Sequence, residues 1–86
     1  MKYHIELKPQ VVKDLKRIQK SDAVRVLDAL EILADGLKGD VKRLTNFTPE
    51  YRLRVGNYRI LFEIVKRNLI IVYRVSPRKD VYKKRK

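Results

Sequence analysis

Residues 51–60, YRLRVGNYRI, predict a β-hairpin and its register. Apolar and polar residues alternate on both sides of Gly56 and Asn57, and glycine at the first central position suits a two-residue type II′ turn. This turn places apolar residues opposite one another on one side and arginine opposite arginine on the other. The predicted pairs are Val55 with Tyr58, Leu53 with Ile60, Tyr51 with Phe62, Arg54 with Arg59, and Arg52 with Leu61. A shift of one residue would mix the two sides, so the agreement among the apolar pairs supports this register.

Folding stability does not explain why arginines cluster on one side of the hairpin, because like charges at opposing strand positions are destabilising by a few tenths to about 1 kcal/mol. We call it the arginine face, and the sequence assigns to it Arg52, Arg54, Arg59 and Arg74, with Arg78 just beyond the strand end. Its only predicted acidic neighbour is Glu63. Arginine presents a planar fork of donors that matches phosphate oxygens, so we interpret the face as a phosphate-binding surface. The alternative is a solvated face whose arginine stems lie along apolar surface.

The net charge of +12 is concentrated in the second part of the chain. Residues 1–50 hold ten Lys/Arg and eight Asp/Glu, a net of +2, whereas residues 51–86 hold twelve and two, a net of +10. Such an asymmetry indicates a polyanionic partner, with nucleic acid ahead of an acidic protein. The alternative is a generally basic protein without a specific polyanionic partner.

The segment before the hairpin predicts one strand and two helices. Residues 2–7 alternate as a first strand, and Pro9 suits the first turn of a helix. Ser21 or Asp22 is expected to cap the second helix, which ends near Gly36 and Gly39. Two apolar stripes recur at helical spacing, formed by Val11, Val12, Leu15 and Ile18 and by Ala23, Val26, Leu27, Leu30, Leu33, Ala34 and Leu37. The first helix is expected to turn Lys13, Asp14, Lys16 and Arg17 away from the sheet.

The segment after the hairpin predicts an interior strand and a basic end. Residues 68–76, NLIIVYRVS, are apolar on both sides over much of their length, as expected inside a sheet. A tight turn at Arg67 and Asn68 would place Ile71, Tyr73 and Val75 on the core side. Residues 77–86 form a basic tail or a short final helix. The whole chain, residues 1–86, is expected to be a single α+β domain.

Composition excludes several kinds of chemistry. There is no cysteine, so disulfides and thiolate metal ligands are excluded, and the one histidine, His4, excludes a two-histidine ribonuclease mechanism. No carboxylate spacing indicates a metal cage, three glycines cannot form a glycine-rich phosphate loop, and we expect no cofactor. No apolar run approaches the roughly eighteen residues of a membrane span, and the N-terminus lacks a secretory signal. The expected compartment is the cytosol, with no membrane partner.

Two stretches, YRLRVGNYRILFEI at 51–64 and NLIIVYRVSPRKDVY at 68–82, resemble the RelE branch of the RelE/ParE toxin superfamily. Its members are bacterial and archaeal toxins of toxin–antitoxin pairs. The resemblance spans nearly the whole chain and implies the order β-α-α-β-β-β(-α), with a curved, mainly antiparallel sheet packed against two N-terminal helices. It also implies a ribosome-dependent endoribonuclease that cleaves mRNA in the ribosomal A site through the message's own 2′-hydroxyl, without metal or cofactor. The implied partners are the ribosome, with its rRNA and mRNA, and an inhibitory, acidic antitoxin.

Carried over by position, the resemblance assigns five catalytic residues, Arg52, Arg54, Arg59, Arg78 and Tyr82. Arg59 and Arg78 would stabilise the charge of the phosphorane-like transition state, and Tyr82 would stack on a base and hold the nucleotide for in-line attack. Family members often have lysine where this chain has Arg52 and Arg54, so the general base stays open, with Lys79 as a candidate. Pro77 also stands where many members carry histidine or a basic residue. Further RNA contacts are predicted at Arg74, Lys79, Lys83, Lys84, Arg85 and Lys86, of which residues 83–86 could equally be a solvated charged end.

Two other functions stay open at this point. ParE-type toxins resemble this fold and bind DNA gyrase without cutting anything, although they generally lack the matched basic set and the terminal tyrosine. A non-enzymatic RNA-binding module would bind naked RNA in a salt-sensitive manner and leave it intact. Cleavage that requires both ribosomes and Arg59 would distinguish the endoribonuclease from these two.

Overall fold

A computed structural model describes residues 2–44 and 48–77 of the chain. In chain order the elements are β1 His4–Leu7, α1 Pro9–Arg17, α2 Lys20–Ala34, β2 Asp40–Arg43, β3 Tyr51–Val55, β4 Tyr58–Val65 and β5 Leu69–Pro77. The five strands form one sheet in the spatial order β1-β5-β4-β3-β2, and the two helices pack on one side of it. The arginine face is the other side of this sheet.

The hairpin of β3 and β4 forms in the predicted register over all five predicted pairs. Gly56 has a φ of 55°, a left-handed conformation that glycine adopts without the steric cost that other residues meet. On the core side, Tyr51 and Phe62 stack across the pair with their ring centroids 5.4 Å apart. The alternating pattern therefore separates the two sides of the hairpin as expected.

The first part of β5 departs from the predicted register. The turn before it spans three residues, 66–68, instead of the predicted two. Ile70 and Val72 are consequently the buried core residues, and the predicted placement of Ile71 and Tyr73 on the core side is wrong. The apolar run at the start of β5 does not alternate with polar residues, so its sequence favours neither register. The length of the preceding turn therefore determines the register.

Pairing between β4 and β5 returns to the predicted register after a bulge. Phe62 pairs with Val72, but its neighbour Leu61 pairs with Arg74, so one extra residue is inserted on β5. Beyond the bulge, Val75 is buried in the core and Arg74 lies on the arginine face, both as predicted.

Each helix buries one side against the sheet. The buried core contains Val11, Val26, Leu30, Leu33, Leu53, Val55, Ile60, Phe62, Ile70, Val72 and Val75. The prediction that Ser21 or Asp22 caps the second helix is wrong, because α2 begins at Lys20 and has Gln19 as its N-cap residue. Asp22 instead accepts a 2.8 Å hydrogen bond from the hydroxyl of Tyr58, which raises the pKa of that tyrosine and ties α2 to the start of β4.

The sheet has a strand that the sequence pattern does not predict. β2, at one edge of the sheet, pairs antiparallel with β3, while β1 pairs in parallel with β5 at the other edge. The α+β class is confirmed, with two helices ahead of a mainly antiparallel sheet. The proposed final helix or tail lies outside the described residues, except for Pro77 at the end of β5. Within residues 2–44 and 48–77, neither helix is long and apolar enough to cross a membrane.

Candidate nucleic-acid interface

The arginine face consists of two rows of side chains that run across the sheet from β2 to β5. Strand pairing puts Asp40, Arg54, Arg59 and Ser76 in the first row and Lys42, Arg52, Leu61 and Arg74 in the second. Directly paired positions project to the same side of a sheet, and rows two residues apart are neighbours. The four arginines assigned to this face from the sequence are therefore brought together on it.

Asp40, the first residue of β2, binds two of these arginines. Its carboxylate accepts a 2.9 Å hydrogen bond from Nε of Arg54 and lies 3.6 Å from Nη1 of Arg52. Its carbonyl oxygen accepts a further hydrogen bond, of 3.3 Å, from the same Nη1. The hydrogen bond from Arg54, together with the charges of both arginines, lowers the pKa of Asp40, so this carboxyl group is ionised at neutral pH. The prediction that Glu63 is the only acidic neighbour of the face is wrong.

Arg52 depends on this partner more than Arg54 does. The side chain of Arg52 is 9% exposed, whereas that of Arg54 is 41% exposed. A charge that is largely removed from water is costly unless it is paired and hydrogen-bonded, and Asp40 provides both kinds of contact. Arg54 keeps a substantial surface for an external anion.

Glu63 contacts a tyrosine instead of an arginine. The hydroxyl of Tyr73 donates a 3.1 Å hydrogen bond to Oε1 of Glu63, and Nζ of Lys8 lies 5.9 Å from the centre of the tyrosine ring. Burial and this hydrogen bond raise the pKa of Tyr73. The tyrosine therefore stays protonated at neutral pH and is a poor proton acceptor for chemistry on the arginine face.

Arg59 is the arginine of this face whose charge has no carboxylate partner among residues 2–44 and 48–77. It lies directly opposite Arg54, and its Nε atom is buried without a hydrogen-bond acceptor in the described part of the chain. An unsatisfied buried donor costs about 1–3 kcal/mol, and the facing like charge adds to that cost. The protein therefore tolerates at Arg59 a cation that an incoming anion would stabilise.

Arg74 is held from outside the sheet by a carboxylate on α1. Its Nε and Nη2 atoms lie 3.0 and 3.4 Å from the two oxygens of Asp14. The same carboxylate accepts a 2.9 Å hydrogen bond from the backbone N–H of Val75 and a 3.0 Å hydrogen bond from Gln10. Asp14 is only 4% exposed, so these contacts stabilise a charge that is largely removed from water.

The prediction that Asp14 faces away from the sheet is wrong, and a signal in the sequence could have corrected it. Asp14 follows Val11 by three residues and precedes Ile18 by four, which puts it within the apolar stripe of α1. β1 ends at Leu7, and the amide of Lys8 makes a 3.0 Å hydrogen bond to the carbonyl of Val72. Beyond this point no described strand pairs with this edge of β5, and α1 lies beside it, so that the Asp14 carboxylate accepts the backbone hydrogen bond of Val75.

The contacts of Asp14 predict a loss of stability in acid. Burial raises the pKa of Asp14, but hydrogen bonds from Arg74, Val75 and Gln10 lower it by more, so it lies below the usual 3.8. The unfolded chain then takes up the proton more readily, and the stabilisation is present above about pH 3.8 and lost as the pH falls towards the folded pKa. From about pH 5 to about pH 3, we expect the urea midpoint to fall less in Asp14→Asn than in the unsubstituted protein. Equal falls in both proteins would contradict this account.

The other predicted site residues lie outside the described residues. They are Arg78, Lys79, Tyr82, Lys83, Lys84, Arg85 and Lys86. β5 ends at Pro77, one residue after Ser76, which is paired with Arg59. The last described residue is thus adjacent to the first row of the arginine face. Within residues 2–44 and 48–77, no group of three or more His, Asp or Glu residues is placed to hold a metal ion.

The sequence and the fold are both similar to those of known toxins. Residues 5–82 match the family described as ParE toxin of type II toxin–antitoxin system, parDE. Toxin RelE3 of Methanocaldococcus jannaschii is 38% identical over 76 residues, which cover 83% of this chain and 85% of that protein. A chain of the archaeal RelE–RelB complex from Pyrococcus horikoshii OT3 superposes with a TM-score of 0.74 and 30% identity, over 91% of this chain and 97% of that one. A chain of the RelB–RelE antitoxin–toxin complex from Methanococcus jannaschii gives a TM-score of 0.72 and 34% identity, over 88% and 93%.

Proposed function

Because this chain belongs to the RelE/ParE superfamily of type II toxins, we propose that it is a ribosome-dependent endoribonuclease that cleaves mRNA in the ribosomal A site and so inhibits translation. The observation that carries this proposal is that Arg59, on a face with three other arginines, has no carboxylate partner among residues 2–44 and 48–77. Relatives that carry the RelE name and share the fold support the RelE type of activity over other activities of the superfamily.

The proposed reaction is attack of a ribose 2′-hydroxyl oxygen on the adjacent phosphorus. A bond from phosphorus to the 2′-oxygen forms and the bond to the 5′-oxygen breaks, while the 2′-hydroxyl loses a proton and the leaving oxygen gains one. The products are a cyclic phosphate and a 5′-hydroxyl end. Negative charge on the phosphorane grows during this step, so a fixed cation stabilises the transition state more than the ground state. Arg59 supplies that cation, and Arg78 is the second one in this proposal.

In this scheme Arg54 binds and orients the RNA backbone, the buried Arg52 contributes its positive charge to the face, and neither moves a proton. The pKa of an arginine lies above about 12, so neither can act as a general base at neutral pH. Their shared carboxylate, Asp40, is a weak base because the hydrogen bond from Arg54 lowers its pKa. Lys79 remains the proposed participant in proton transfer, and Tyr82 is proposed to stack on the base of the splayed nucleotide.

An inhibitory antitoxin is the second proposed partner. Two structural relatives were solved as complexes of RelE with RelB. With a net charge of +12, this chain would attract an acidic segment, which could fold across the arginine face and cover Arg54 and Arg59. Since its proposed substrate is on the ribosome, we place the protein in the cytoplasm.

Primer extension on a defined message tests the proposed activity. Ribosomes stalled with an empty A site and naked RNA of the same sequence would be incubated with the purified protein. We expect cuts within the A-site codon on ribosomes and none on naked RNA, also in the presence of a chelator. Intact message on ribosomes, from protein shown to be folded and toxic, would refute the proposal.

Inhibition of DNA gyrase is the second candidate function, and the ParE name of the matching family favours it. A supercoiling assay run with the same preparation separates the two candidates. Loss of gyrase activity together with intact ribosomal mRNA would establish the ParE type. The arginine face would then be a docking surface for a protein or for DNA.

A further inference from the structure

We propose that Asp14 is a positioning residue for RNA, holding Arg74 so that the outward edge of its guanidinium binds a backbone phosphate next to the one that is cleaved. This inference rests on the proposed function, because it assigns a substrate contact on the same arginine face. It adds α1, which has no other part in the proposed reaction, to the elements that shape the RNA site.

The geometry around Asp14 fixes the guanidinium from one side. Nε and Nη2 of Arg74 both point to the carboxylate, the side-by-side arrangement in which arginine loses the least freedom per hydrogen bond. The carboxylate itself cannot swing away, because the amide of Val75 and the side chain of Gln10 also hold it. Asp14 is buried, whereas the side chain of Arg74 is 47% exposed.

The remaining donors of Arg74 are available to a ligand. An arginine has five N–H groups, and the two directed at Asp14 leave Nη1 and one hydrogen of Nη2 without an acceptor within the described ranges. Arg74 is paired with Leu61, two residues along β4 from Arg59, so the two cations are diagonal neighbours on the arginine face. An RNA chain with one phosphate bound at Arg59 would bring an adjacent phosphate to Arg74.

A charge-matched comparison tests the role of Asp14. Asp14→Asn and Asp28→Asn each remove one negative charge, but Asp28 is exposed on α2 and makes no ion pair or side-chain hydrogen bond with any described residue. Cleavage would be measured on ribosomes with an empty A site, over a range of complex concentrations. Arg74→Gln and the double variant Asp14→Asn/Arg74→Gln complete the set.

The expected change in KM is opposite in direction to the change that net charge alone would cause. Removing a carboxylate makes the protein more positive, so charge alone would lower KM for the ribosome complex. Loss of positioning should instead raise KM roughly three- to tenfold with kcat within about twofold, as expected when a uniform binding contact is weakened. Asp28→Asn should leave KM unchanged or slightly lower. In the Arg74→Gln background, Asp14→Asn should have no further effect on KM.

An unchanged or lower KM in folded Asp14→Asn, or an equal rise in the Arg74→Gln background, would overturn the inference. If Asp14 served only to stabilise the fold, Asp14→Asn would instead lower the folded fraction and the apparent kcat.

The Nε–H resonance of Arg74 gives a second test, which needs neither cleavage nor a stable variant. It should be protected from solvent exchange in the unsubstituted protein and, where Asp14→Asn folds, exchange faster there, because a neutral amide oxygen is a weaker acceptor than a carboxylate. Fast exchange in the unsubstituted protein would refute the positioning, whereas absence of cleavage by that protein would refute only the proposed function.

Discussion

Replacing Arg59 with alanine is expected to lower the rate of mRNA cleavage on ribosomes by about 10²–10³-fold while leaving the protein folded. The reason is that Arg59 has no carboxylate partner in the described part of the chain, so its whole charge is available to a phosphorane. Single-turnover cleavage at saturating concentrations of ribosomes would measure the chemical step directly, and growth arrest on expression would give an independent readout.

Arg59→Ala should not reduce the free energy of unfolding, so its loss of cleavage cannot be attributed to misfolding. It removes a like charge opposite Arg54 and a buried Nε that has no acceptor among the described residues. Relief of the facing charges is worth a few tenths to about 1 kcal/mol, set against the loss of contacts made by the arginine stem. We therefore expect a urea midpoint equal to or above that of the unsubstituted protein. A residue kept at a cost to folding is typical of a functional site.

Arg67→Ala provides the matched control for Arg59. Arg67 is exposed in the turn between β4 and β5, away from the arginine face, and its replacement removes the same unit of charge. Cleavage by this variant should stay within about threefold of the unsubstituted rate, since only long-range attraction is lost and salt screens it. Full activity of Arg59→Ala, or equal losses in the two variants, would show that overall charge drives the activity and that Arg59 has no special role.

The hairpin was predictable because two independent local features agree. Alternation selects the side on which each residue lies, and the Gly56–Asn57 pair selects the turn, so only one register satisfies both. β5 has neither feature. Its residues are apolar on both sides, its three-residue turn has no strong sequence signature, and its bulge restores the register only near Val75. Sequence alone therefore placed the end of β5 next to the arginines correctly and its beginning wrongly.

The carboxylates of the site were not predictable, because they come from distant parts of the chain. Asp40 is 14 residues from Arg54, and Asp14 is 60 residues from Arg74. No local pattern connects such pairs. β2, which carries Asp40, has only four residues and three of them are exposed, so it lacks the alternation that identifies a strand. The arginines could be recognised from their spacing, whereas the acids that hold them depend on how the elements pack.

Replacing Gly39 with alanine is expected to destabilise the protein by about 2–6 kcal/mol, a large part of the stability of a small domain. Gly39 has a φ of 126°, which L-residues rarely adopt, and a Cβ atom there would lie 2.9 Å from Cδ1 of Leu53. Backbone strain accounts for about 1–3 kcal/mol and overpacking for a similar amount, because Leu53 is fully buried in the core and has little room to move. Urea unfolding followed by circular dichroism would measure the loss.

Gly36→Ala separates the two contributions, because Gly36 also has a positive φ, 84°, but nothing lies within 4 Å of its added Cβ. It should cost only the strain of a left-handed residue, about 1–2 kcal/mol. Adding Leu53→Val to Gly39→Ala removes the atom that clashes, so the double variant should be less destabilised than the sum of the two single changes. Strict additivity would mean that Leu53 is not what excludes a side chain at Gly39. Since Gly39 immediately precedes Asp40, a backbone shift caused by Gly39→Ala would also act on the residue whose carboxylate holds Arg52 and Arg54.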